Sequence, residues 1–128
     1  MSQLLQMCHK KLEQDPQSIK ALLIQASIHI KTGQFDKAVT SCSKILQIEE
    51  EEENAYYYRA KARQNLGDLD LAIRDFSTVL ALNPNHVNAA YSRAACQNMK
   101  GNYDEAIVDY ELVPIQYFFF RRVEAQFQ

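Results

Sequence analysis

The sequence predicts an all-α array of antiparallel helix hairpins. Three observations predict it. Glycine recurs at one fixed interval, as Gly33, Gly67 and Gly101. Apolar residues on either side of each glycine fall at three-and-four spacing, which marks one buried helix face. Three glycines and three prolines in 128 residues leave few long loops.

The clearest hairpin is 53–86. Before its hinge at Leu66-Gly67-Asp68, Tyr56, Ala60 and Arg63 fall at helical spacing. After it come Ala72, Ile73, Phe76, Val79 and Leu80, and the second helix stops at Asn83-Pro84. Such a hairpin cannot bury its own apolar stripe and needs neighbours. A shift by the glycine interval supplies them: it aligns Ala26, Ala60 and Ala94; Ala38, Ala72 and Ala106; Val39, Ile73 and Ile107; and Phe35, Leu69 and Tyr103. Small residues recur where helices approach closely, and larger ones recur opposite them. A period of about 34 residues is the mark of a stacked helical array.

The middle unit carries Ala60, Gly67, Ala72-x-x-x-Phe76 and Pro84; the third carries Ala94, Gly101 and Ala106-x-x-x-Tyr110. The first carries Ala26, Gly33 and Ala38-x-x-x-Cys42, with Glu50 where proline is expected. On these residues, over about 19–113, the chain resembles the tetratricopeptide repeat (TPR) family. The early aromatic of that signature is Tyr56 in the middle unit, but Leu22 and Ala90 in the others. The resemblance implies a TPR α-solenoid, a right-handed superhelix, forming a single domain over 1–128.

Taken in order, residues 1–16 read as the second helix of a partial repeat. Leu4, Leu5, Cys8 and Leu12 stand one period before Ala38, Val39, Cys42 and Leu46. The expectation is an excerpt of a longer array; a lone packing helix is the alternative. Residues 19–52 form the first full repeat, turning at Lys31-Thr32-Gly33-Gln34, with Asp36 placed to cap or charge-complement the next helix. Glu49–Glu53 are five consecutive glutamates carrying −5 against a net −2, so the rest of the chain carries +3. They read as a solvated turn, with Glu53 entering the next helix, or as an acidic edge that selects basic partners. Residues 87–113 form a shortened third repeat, because Pro114 breaks its second helix early. In 115–128, Ile115, Phe118, Phe119, Val123 and Phe127 suggest an amphipathic helix. It caps the array, docks another chain, or begins a further repeat. Self-association through Tyr117, Phe118, Phe119 and Phe120 is possible at this end.

Composition narrows the function. A 47% apolar fraction supports a core, and no apolar run has the length of a membrane span. The net charge gives no reason to expect nucleic acid. Gln breaks the first apolar stretch and Lys follows it, so no secretory signal is read. Three cysteines do not make a disulfide framework, which predicts a reducing, cytoplasmic setting. His9, His29 and His86 lack a second ligand at metal spacing, and Cys8, Cys42 and Cys96 read as small buried residues with no base beside them. Neither a cofactor, a metal site nor an enzyme activity is expected.

The resemblance implies that the first helix of each hairpin lines a concave groove. The groove residues carried over are Leu23, Ile24, Ser27, Asn54, Tyr57, Tyr58, Lys61, Asn65, Asn88, Tyr91, Ser92 and Asn98, with Lys20, Lys31 and Ala95 beside them. Tyrosine offers large contact area with one hydrogen-bonding group, and asparagine can pair with both partners of a peptide backbone. The bland alternative is that Tyr57 and Tyr58 only pack between hairpins. The Lys and Asn set by which some family members clamp a chaperone's terminal carboxylate is replaced here by Leu23, Ser27, Tyr58, Asn88 and Ser92. The expected partner is a protein or peptide bound without that clamp; the alternative is a structural spacer or self-association segment.

Overall fold

The computed structural model describes residues 2–118 and, among them, seven helices followed by a helical stretch at 115–118, with no strand. These are α1 (Ser2–Gln14), α2 (Ile19–Lys31), α3 (Phe35–Ile48), α4 (Glu53–Leu66), α5 (Leu69–Leu82), α6 (Val87–Lys100) and α7 (Tyr103–Glu111). Consecutive helices pair as antiparallel neighbours and stack into a right-handed superhelix. The first helices α2, α4 and α6 touch in series, whereas α3 and α5 do not meet. The array therefore curves with its first helices inside.

The turns follow from backbone chemistry. Gly67 and Gly101 end α4 and α6 at φ +85° and +83°, a left-handed conformation that glycine adopts without penalty. Ser18 caps α2 by accepting the Ala21 N–H at 3.3 Å, and His86 Nδ1 does the same for Ala89 at 3.0 Å. Asp36 does not cap α3. It lies inside the first turn, and the N-cap residue Gln34 makes no side-chain capping bond, so Asp36 acts only through its charge at the helix N-terminus. Glu53 begins α4, leaving four glutamates in the turn before it. α7 is nine residues long where α3 and α5 have fourteen, because Pro114 disfavours helix in the residues before it.

Two apolar clusters build the core. Leu22, Ala26, Cys42, Ile45 and Ala55 form one; Ala60, Ala72, Phe76, Val79, Ala89 and Cys96 form the other. Each draws on three successive helices, and each second helix lies in the cleft between its own first helix and the next first helix. The alanine columns let the helices approach closely.

A polar ladder runs through the same packing. Arg59 grips Asp75 with two bonds of 2.8 and 2.9 Å, Arg63 adds a third at 2.8 Å, and Arg59 also reaches Ser43. One period on, Arg93 grips Asp109 at 2.7 and 2.6 Å and reaches Ser77. One period back, the rung is neutral: the Ser41 hydroxyl donates to Gln25 at 3.0 Å.

Candidate functional site

The concave first-helix face holds an open depression of about 290 Å³. It is lined by Leu23, Ile24, Ser27, Ile28 and Lys31 of α2, Asn54 and Tyr58 of α4, and Leu4 of α1. The helical period explains the gathering. Leu23, Ser27 and Lys31 stand four apart on one α2 stripe, and Asn54 and Tyr58 stand four apart on α4. The lining is aliphatic at Leu4, Leu23, Ile24 and Ile28 and adds one hydroxyl, one amide, one phenol and one ammonium.

Five predicted groove residues thus meet in one place: Leu23, Ile24, Ser27, Asn54 and Tyr58. The others are dispersed. Tyr57 is half-buried, edge-on to Phe76 with ring centres 5.9 Å apart and 4.8 Å from the His86 ring. Lys61 is half-buried, and Asn65 is exposed with its amide donating to the Lys61 carbonyl at 2.9 Å. Ser92 is buried among the helices and offers no open surface, although Tyr58 and Ile24 in its column line the depression. Asn98 is exposed near the end of α6.

Asn88 and Tyr91 face the chain's own continuation. Residues 115–118 are helical, and the Tyr117 hydroxyl donates to the Asn88 side chain. Tyr91 packs against Tyr117, Phe118 and Tyr110 with ring centres 5.1, 5.8 and 5.5 Å apart. Of the four residues expected to drive self-association, Tyr117 is half-buried in this aromatic cluster and Phe118 is at its edge. Phe119 and Phe120, with the rest of the expected 115–127 helix, lie outside the described residues.

Charge is divided between the two helix sets. α2, α4 and α6 carry seven Lys and Arg against one acid, Glu53; α3, α5 and α7 carry three against seven acids. Arg59, Arg63 and Arg93 commit their charge to Asp75 and Asp109, and Lys100 bonds Asp70. Lys31 remains at the rim of the depression.

All three thiols are buried. Burial pushes Cys42 up to about 12 and Cys96 up to about 11, and raises Cys8. None is an ionised nucleophile at neutral pH. Among the described residues no group of three His, Cys, Asp or Glu is placed to hold a metal ion, and no helix is long and apolar enough to cross a membrane.

Sequence reasoning missed Leu4 and Ile28 as lining residues and missed the polar ladder. A signal for the ladder was present: Arg59 and Arg93, Asp75 and Asp109, and Ser43 and Ser77 each recur one period apart.

Models of the tetratricopeptide repeat match residues 19–52 and 57–113. The chain belongs to the tetratricopeptide repeat family. A MamA crystal structure superposes with a TM-score of 0.81 at 25% identity, over 84% of this chain and 63% of that one. MamA from Desulfovibrio magneticus RS-1 gives 0.79 at 16% identity, over 84% and 60%, a likeness of fold alone. The chain thus spans less than two thirds of the length of these structures. No curated protein matches it in sequence. The repeats and the MamA-like fold suggest a protein-interaction or scaffold module.

Proposed function

We propose that the concave face binds an extended peptide or a helix of a partner protein, centred on the depression between α2 and α4. One observation carries the reading: Leu23, Ile24, Ser27, Asn54 and Tyr58 converge on a single aliphatic recess with polar groups at its walls. That combination suits an apolar anchor side chain, with Asn54 and Ser27 left to bond its backbone. Leu23, Ser27 and Tyr58 supply no cation where a carboxylate clamp would need one, so a chaperone C-terminal peptide is not the ligand. The three unpaired, buried thiols fit a reducing, cytoplasmic setting.

Ser27→Arg would fill the recess and Tyr58→Ala would remove one wall. Partners captured by the wild-type chain should be lost from both variants while circular dichroism keeps its helical signal. Unchanged capture by both would refute groove binding.

A second reading, a spacer or self-associating segment of a longer array, draws on the exposed Ile107 and Val108 of α7 and Leu112 just after it. Sedimentation decides it: this reading requires an oligomer that Val108→Lys converts to monomer.

A further inference from the structure

The outer side of the array, away from the depression, holds an open cleft of its own. α6 packs against both α5 and α7, which do not meet, and the three helices line a space of about 270 Å³. Its polar centre is the last rung of the ladder, Arg93 and Asp109, with Ser77 accepting from the guanidinium at 3.1 Å. Gln97, Glu105 and two apolar residues, Ile73 and Val108, complete the lining. A following first helix does not cover this side. Leu71 and Arg74, one period before Glu105 and Val108, stay exposed although α6 follows them.

The preceding unit places the same columns in a different balance of charge. There the columns hold Arg59, Arg63 and Arg74 with one carboxylate, Asp75, a formal +2. Here Gln97 and Val108 replace Arg63 and Arg74, and Glu105 replaces Leu71. Arg93 is left with two carboxylates, a formal −1. The bonding differs in step. Asp75 accepts two bonds from Arg59 and a third from Arg63 at 2.8 Å. Among the described residues Asp109 accepts two, both from Arg93, while the Gln97 carbonyl accepts from the Asn102 amide at 2.8 Å. Glu105 makes no ion pair among the described residues. It stands four residues before Asp109, on the same face of α7. The third bond to the rung's carboxylate is therefore open, and a second carboxylate stands one turn from it.

We infer that this cleft takes an arginine side chain of a partner protein, its guanidinium in the place that Arg63 fills one unit earlier. One edge of the guanidinium pairs with Asp109 and the other with Glu105, and the methylene stem lies on Ile73 and Val108. Arginine is favoured over lysine because its planar fork bonds two carboxylates at once. The stem also covers Val108, which is 61% exposed. The cleft shares no residue with the concave depression, so it stands whether or not that depression binds a ligand.

The probe is a blocked pentapeptide with one central arginine among alanines, beside the same peptide carrying lysine or citrulline, the neutral isostere of arginine. Each is titrated at low salt into the full nitrogen-labelled chain and read by NMR. The arginine peptide should shift the Arg93 side-chain Nε–H and the Glu105 amide, and bind about tenfold tighter than the citrulline peptide. Glu105→Gln, at an exposed position, should weaken the arginine peptide by about tenfold. Gln97→Arg rebuilds the preceding rung within the chain itself and should abolish binding while circular dichroism keeps its helical signal. The proposal is overturned by no binding, by equal binding of the citrulline or lysine peptide, or by binding that survives Gln97→Arg. The same shifts produced by magnesium or calcium chloride would overturn it too, as a site for a bare cation. So would a dimer in sedimentation that Arg74→Ala dissolves, because a second copy would then supply the arginine.

Discussion

The first and second hairpins make the same rung of the polar ladder from different chemistry. In α4–α5, Arg59 and Arg63 converge on Asp75, a carboxylate 2% exposed. In α2–α3 the matching residues are Gln25, His29 and Ser41, and the rung is one neutral hydrogen bond. Both hairpins bury the residue at this position of their second helix. The position therefore demands a satisfied polar pair and not a charge. A buried ion pair is weak evidence of stability in itself, because desolvation offsets most of the attraction. Losing one half of it is a different matter.

The largest effect should come from Asp75→Ala, which leaves two part-buried guanidiniums without their carboxylate. The expected loss is about 3–5 kcal/mol in urea unfolding, and a loss near zero would break the comparison. Asp109→Ala strands only Arg93, which is more exposed, and should cost about 2–3 kcal/mol. The triple change Arg59→Gln, Arg63→His, Asp75→Ser writes the first rung into the second hairpin. Its cost should be about 1 kcal/mol, far below that of Asp75→Ala alone, because no charge is left unpaired. Ser41→Ala removes one neutral bond and should cost about 1 kcal/mol or less.

The gentlest lever is pH. His29 stands in the column of Arg63, without a carboxylate in its rung. Burial first, and the charge of Lys37 second, hold its pKa below the ordinary 6.5, although a hydrogen bond with Gln34 pulls the other way. The unfolded chain then takes up a proton that the folded chain refuses. The contribution of His29 to stability is thus fully present above pH 6.5 and declines as pH falls below it. Ser41→Asp should raise the His29 pKa, as read by NMR titration, and soften this decline.

The apolar half of the architecture was legible because the period acts on side-chain size. Ala60, Gly67, Ala72 and Phe76 each have one physical job that few residue types can do, so their columns stand out. The ladder was harder to read. Gln25, Arg59 and Arg93 share a slot without sharing a charge, so an eye tuned to identity passes over them. The groove was legible by column and not by side chain. Tyr57 and Tyr58 are neighbours in sequence, yet one turns onto Phe76 and the other onto the depression. The same rule could not foresee that Tyr91 would meet Tyr117, because that contact depends on the path taken after Pro114.

Because successive clefts reuse the same columns, the length of this chain is quantised. One residue inserted within α4 rotates everything after it by about 100° about the helix axis and turns the alanine column away from its neighbour. A whole period inserted at a turn restores every column and adds one more hairpin to the concave wall. Duplication or loss of whole units is the genetic change such an array absorbs, and a single added codon between Gly67 and Pro84 is the one it rejects.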